Sequence, residues 1–180
     1  MSEYFDIQDT DYYAVIGHSA PDVLTFPYYK MPTGRMGTLK RSMENGSYAK
    51  IIIMLGVNDF SLKDDRVEKF MEPMREILQL LKETQPSARI YLLSVAPVGR
   101  ETKNNLIYNP ENVLFYSQMI KTLSREFDTE YIDLFRFLSD EEGYLLDDYN
   151  AGDGIHIRGV KYAEIEDYLK RHLGGLEENR

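Results

Sequence analysis

Ala49-Lys50-Ile51-Ile52-Ile53-Met54-Leu55 decides the fold, and Gly56-Val57-Asn58-Asp59 follows it directly. The run is apolar without polar alternation, the pattern of a central parallel strand covered on both faces. Gly56 then lets the chain turn out of it. Two further runs of this kind lie downstream, Ala88 to Val95 and Tyr131 to Leu134. Between them the period changes. After Asp64 and Asp65, which suit a helix start, Val67, Phe70, Met71, Met74, Ile77, Leu78 and Leu81 recur at helix-face spacing. Pro73 falls inside this pattern as a candidate kink, and Pro86 ends it. From Pro110 to about Phe127 a second helix carries Tyr116, Ile120, Leu123 and Phe127 on one face. A third helical pattern runs from Arg158 to Leu173. Strands alternating with helices over short connections imply right-handed crossovers and a parallel sheet. The fold class is therefore α/β, a three-layer sandwich with a central parallel sheet.

Upstream of the first run, Tyr12-Tyr13-Ala14-Val15-Ile16 is rich in β-formers and stopped by Gly17, so a buried strand is expected there. Ser19 suits a helix N-cap, with Pro21 in the first turn. Phe26 to Gly37 carries Pro27, Pro32, Gly34 and Gly37 and reads as loop. Thr38 to Asn45 reads as a short helix ended by Gly46.

The 180 residues suffice for one domain with a real core, with flexible ends expected at 1–11 and 174–180. A net charge of −9 and a pI near 4.9 argue against a general nucleic-acid binder, which needs a basic face. The chain has no cysteine, and its three histidines are far apart, so no metal-ligand spacing is visible. No apolar run approaches the roughly 20 residues of a membrane span. The acidic start MSEYFDIQDTD is not a signal peptide, so the expectation is a cytoplasmic protein, or a secreted domain with its signal removed.

In an open parallel sheet, ligands bind beyond the carboxyl ends of the strands. Gly17, Asn58, the turn from Pro97 to Arg100 and the loop Asp153-Gly154-Ile155-His156 all fall there. Within that last loop, a tight turn lets the Asp153 carboxylate reach one ring nitrogen of His156 and leaves the other free to take a proton. The bland alternative is an Asp that caps a helix beside a surface His. An Asn just past a rigid strand can point its amide at a developing oxyanion. It can equally close a turn and cap the next helix. The aromatic loop holding Tyr28 and Tyr29 and the acidic stretch holding Tyr144 and Tyr149 could stack a sugar, although ordinary packing explains them as well.

These blocks resemble the SGNH (GDSL-type) hydrolases, flavodoxin-like α/β esterases and deacetylases. GVND at 56–59 looks like the block carrying that family's oxyanion Asn, and DGIH at 153–156 looks like its DxxH block. LLSVAPV at 92–98 resembles the strand and Pro-containing turn between them. The resemblance covers roughly residues 12 to 173. It implies a serine esterase that removes a short acyl group, such as acetyl, from a carbohydrate or small ester without a cofactor. Asp153 and His156 would complete the triad, and Asn58 with the Gly17 N–H would bind the oxyanion. The departure is at the front, because no Gly-Asp-Ser occurs in the chain. Either Gly17-His18-Ser19 is a variant of that block and Ser19 attacks, or Tyr12–Gly17 matches the family's second strand and the nucleophile strand is absent. The second case implies an inactive or truncated protein with a binding role.

Overall fold

The computed structural model describes residues 10–26, 29–30 and 36–174. Most of the two ends expected to be flexible therefore lies outside the described residues, as does Tyr28. Ser19 caps α1 (Ala20–Thr25), with Asp22 closing a capping box. β1 (Tyr29–Lys30) and β2 (Met36–Gly37) then pair antiparallel, so the expected loop holds a minimal hairpin. Thr38 caps α2 (Leu39–Asn45), its side chain accepting the Arg41 N–H.

The main sheet is β3 (Lys50–Ile53), β4 (Arg89–Leu93) and β5 (Glu130–Ile132), all parallel, with β4 in the middle. α3 (Arg66–Thr84) links β3 to β4 as one helix through Pro73, and α4 (Pro110–Glu126) links β4 to β5. Asp133 ends β5 and caps α5 (Leu134–Leu138), a short helix that the apolar run at 131–134 had concealed. The last helix, α6 (Tyr162–His172), follows a 3₁₀ turn at Gly159–Lys161. None of the described helices is long and apolar enough to cross a membrane.

Alternate residues of β4 feed two cores. Ile90 and Leu92 pack with α1 to α4, while Tyr91 and Leu93 pack with Leu134, Leu138, Ile165 and Leu169 of α5 and α6. That is the three-layer arrangement, with β4 enclosed on both faces. Each fully buried Leu or Ile contributes roughly 1.5–3 kcal/mol.

Two expectations about strands need correction. Among the described residues β3 is an edge strand, not a central one. Ile51 and Ile53 face the α3 side, but Ile52 is 39% exposed because α5 and α6 cover β4 and β5 and stop short of it. An unbroken apolar run reports hydrophobicity and does not report how many neighbours the strand has. Nor is Tyr12–Ile16 a strand: it has no ladder partner among the described residues, and Ile16 is 99% exposed. β-propensity is mostly the fit of side chains to a neighbouring strand, and here no neighbour is paired. The segment is held at its two ends. Tyr13 and Tyr48 share a hydroxyl hydrogen bond of 2.6 Å near the start of β3, and the turn at 17–19 docks beyond the end of β3.

Candidate active site

The chain leaves β3 through Gly56, whose φ of 126° only glycine adopts without strain. A Cβ there would come within 2.8 Å of the Val95 side chain. The turn sets Val57–Asp59 into one 3₁₀ turn beyond the strand. Asn58 and Asp59 both reach back to the α1 entry. The Asn58 amide donates to the His18 carbonyl at 3.0 Å, and Asp59 Oδ1 accepts the Ala20 N–H at 2.9 Å. Tyr116 supports the turn from below, its hydroxyl donating to the Asp59 carbonyl at 2.6 Å. Asp59 Oδ2 is buried without a hydrogen-bond partner, and burial pushes the carboxyl up to about 6. Ser19, Pro21, Asn58, Asp59, Arg66 and Lys69 are among the residues around a cleft of about 250 Å³.

The second cluster stands past β4 and β5. Gly99 N–H donates to the Gly154 carbonyl at 2.7 Å, so the turn after β4 carries the 153–156 loop. Asn150 shapes that loop from inside. Its Oδ1 accepts the Gly152 and Gly154 N–H groups, and its Nδ2 donates to Glu101. Gly154 has a φ of 76°, and a Cβ on it would meet the Thr102 side chain at 3.0 Å. Asp153 then closes on itself. Oδ1 accepts the N–H groups of Ile155 and His156, each at 2.9 Å, and Oδ2 meets His156 Nδ1 at 2.6 Å. The His156 N–H and the ring bond, with the Ile155 N–H, hold the Asp153 carboxyl well below the usual carboxylate range. An ionised carboxylate is acceptor-only, so His156 Nδ1 carries the proton and Nε2 is the basic nitrogen. The His156 side chain is 74% exposed, open to whatever docks above the sheet.

All five residues singled out from the sequence thus lie at the carboxyl end of the sheet, in two groups. Gly17, Ser19 and Asn58 gather at the α1 entry, and Asp153 meets His156 beside the Gly99 turn. The Ser19 hydroxyl donates to Asp22 Oδ2 at 2.5 Å, and the ring of His156 bonds Asp153, so no hydrogen bond joins Ser19 to His156 among the described residues. Gly17 has a φ of 77° and is exposed, with open space on the side where a larger residue would carry its Cβ. Of the tyrosines considered for stacking, Tyr149 is buried with its hydroxyl on Glu164, and Tyr144 lies under the Arg100 guanidinium. The sequence reading missed Asn150, Asp59 and Arg66. Asn150 left a signal in its position, a polar residue just before Ala151-Gly152-Asp153-Gly154, where turn amides need an acceptor. Among the described residues no cluster of His, Asp or Glu is placed to hold a metal ion.

The chain is similar to known proteins. An N-acylneuraminate cytidylyltransferase of Escherichia coli is 30% identical over 120 residues, which is 66% of this chain and 27% of that protein. The chain therefore spans about a quarter of that relative's length. A structure from Streptococcus pneumonia, provisionally assigned as a platelet activating factor, superposes with a TM-score of 0.68 at 24% identity, covering 87% of this chain and 69% of its own. An acetylxylan esterase of Geobacillus stearothermophilus superposes with a TM-score of 0.63 at 12% identity, covering 88% and 68%. At such identities the two structures attest the fold. The model of the GDSL-like lipase/acylhydrolase family matches residues 27–159, from the β1 hairpin through the Asp153–His156 loop, and the chain belongs to that family.

Proposed function

We propose that the protein is a serine-type carboxylic ester hydrolase that removes a short acyl group, such as acetyl, from a carbohydrate or another small ester. The observation that carries this reading is the Asp153–His156 pair, with the tautomer fixed at Nδ1 and Nε2 exposed as a base. Family membership and the acetylxylan esterase fold support it. In this mechanism Ser19 leaves Asp22 and gives its proton to His156 Nε2 as its Oγ attacks the ester carbonyl. The tetrahedral oxyanion is held by the second Asn58 N–H and the Gly17 N–H. Collapse releases the alcohol, which takes its proton from His156. Water, deprotonated by the same nitrogen, then frees the acid and restores Ser19. Asp153 stays ionised throughout and orients the ring.

A second reading is favoured by the Ser19–Asp22 bond and by the edge of β3 that has no ladder partner among the described residues. In it the protein is a catalytically inactive or truncated member of the fold with a binding role, and the described residues supply only base, oxyanion donors and a binding cleft. Treatment with a fluorophosphonate ester, followed by intact mass and peptide mapping, separates the two. One adduct on Ser19, absent from His156→Ala, supports the first. A folded protein that takes no adduct refutes Ser19 and supports the second.

A further inference from the structure

Arg66 is an arginine that lines the candidate site of this acidic chain. Arg75, Arg89 and Arg100 each pair with one or two carboxylates. Arg66 is half-buried, lines the same cleft as Ser19 and Asn58, and has no carboxylate partner among the described residues. It is nevertheless held in place. Its guanidinium lies 4.4 Å from the centre of the Phe115 ring, and Nη1 donates to the Ser61 carbonyl at 3.2 Å and to Asn112 Oδ1 at 3.4 Å. Asn112 is itself fixed, its amide donating to the Ile107 carbonyl at 2.7 Å. The N–H groups on Nε and Nη2 have no partner among the described residues. Nε and Nη2 form the edge with which a guanidinium grips a carboxylate through two parallel hydrogen bonds. The neighbouring charges do not fill that role. Lys69 is bridged to Asp65 at 2.8 Å, and the Asp59 carboxyl is tied to the Ala20 N–H.

We propose that Arg66 is a preformed anion subsite of the cleft, so that the ester taken by this protein carries a carboxylate beside its acyl group. An acylated sugar acid has this chemistry. The inference rests on the ester-hydrolase reading for the word ester, but the subsite stands on geometry alone. An immobilised guanidinium loses little freedom on binding, which is what makes such a contact selective. The rest of the molecule works the other way, because a net charge of −9 repels anions from the surface at large. Preference for an anionic ester therefore needs a local cation, and Arg66 is the placed one.

Two acetyl esters that differ by one carboxylate, phenyl acetate and 4-acetoxybenzoate, test it. The wild type should favour 4-acetoxybenzoate in kcat/KM. Arg66→Gln should lower that preference roughly tenfold, mostly through KM, and Arg66→Lys should retain part of it. A binding measurement keeps the test independent of turnover. 4-Hydroxybenzoate should shift the Arg66 Nε–H resonance of wild-type protein, and phenol should not. An equal ester preference in wild type and Arg66→Gln would overturn the subsite, as would equal shifts from phenol and 4-hydroxybenzoate. If Arg66→Gln fails to fold, the Nε–H titration of the wild type and the Arg66→Lys kinetics decide the matter. Absence of any esterase activity together with a selective 4-hydroxybenzoate shift would refute the hydrolase reading and leave the subsite standing.

Discussion

Replacing Asp59 with Asn should stabilise the protein above the Asp59 pKa of about 6, at neutral as well as alkaline pH, and not in acid. Burial lifts the carboxyl from its ordinary 3.8 to about 6, against the opposing pull of the Ala20 N–H. The folded state therefore binds more protons than the unfolded state between about pH 4 and pH 6. The stability contribution of Asp59 is complete below that window and is lost as pH rises through it. At ~1.36 kcal/mol per pH unit the full loss is about 3 kcal/mol, and partial solvent contact reduces it to about 2. Asparagine keeps an oxygen for the Ala20 N–H and carries no charge. Its amide N–H₂ would take the place of Oδ2, which is buried without a partner, at a cost of about 1 kcal/mol. The net gain at pH 8 is about 1 kcal/mol, or about 2–4 °C in Tm. At pH 4 the wild-type carboxyl is protonated, and the gain should vanish or reverse. Thermal melts of both proteins at pH 4, 5, 6, 7 and 8 read this directly. A Tm difference that does not change across that range would refute the claim that Asp59 ionises at a cost to the fold.

Three other substitutions are informative. His156→Ala should abolish ester hydrolysis with almost no change in Tm, since the side chain is mostly exposed; undiminished turnover of a short acyl ester would remove His156 from the mechanism. Asn58→Ala should lower kcat by roughly 10²-fold or more with KM little changed. It also removes the bond to the His18 carbonyl, so a small Tm loss is expected too; a Tm loss with kcat intact would make Asn58 a structural latch only. Ile52→Asp should leave a cooperative melt, because that side chain reaches solvent, whereas Leu92→Asp should unfold the domain by burying an unpaired charge. Equal behaviour of the two would contradict the placement of β3 and β4.

The helices were legible because each carries a period, and β4 because it is an unbroken apolar run. The 3.6-residue spacing from Phe70 to Leu81 is the buried side of α3, although Val67, counted with it, is exposed, and the Ala88–Val95 run proved to be the doubly covered strand. What could not be read was adjacency. Ile51–Leu55 is as apolar as β4, yet the strand order leaves it at the edge among the described residues, where α5 and α6 do not cover Ile52. Tyr12–Ile16 has β-forming side chains, but pairing needs a partner, which a local pattern does not reveal. The Asp153–His156 contact was legible because it spans three residues and one turn. Arg66 was not, since its value comes from Phe115, Ser61 and Asn112, which only the fold assembles.

The outer side of β3 also bears on how the protein behaves in bulk. Ile51, Ile52 and Ile53 present backbone groups on that side with no ladder partner among the described residues, and no proline or bulge interrupts them. Such edges template pairing between molecules, and a run of isoleucines favours it. Long-range repulsion from the charge of −9 is the brake on this at neutral pH. That brake fades toward the pI near 4.9, so colloidal stability should fall on acidification well before the fold itself is lost. Storage above neutral pH and at low ionic strength keeps the repulsion at full reach.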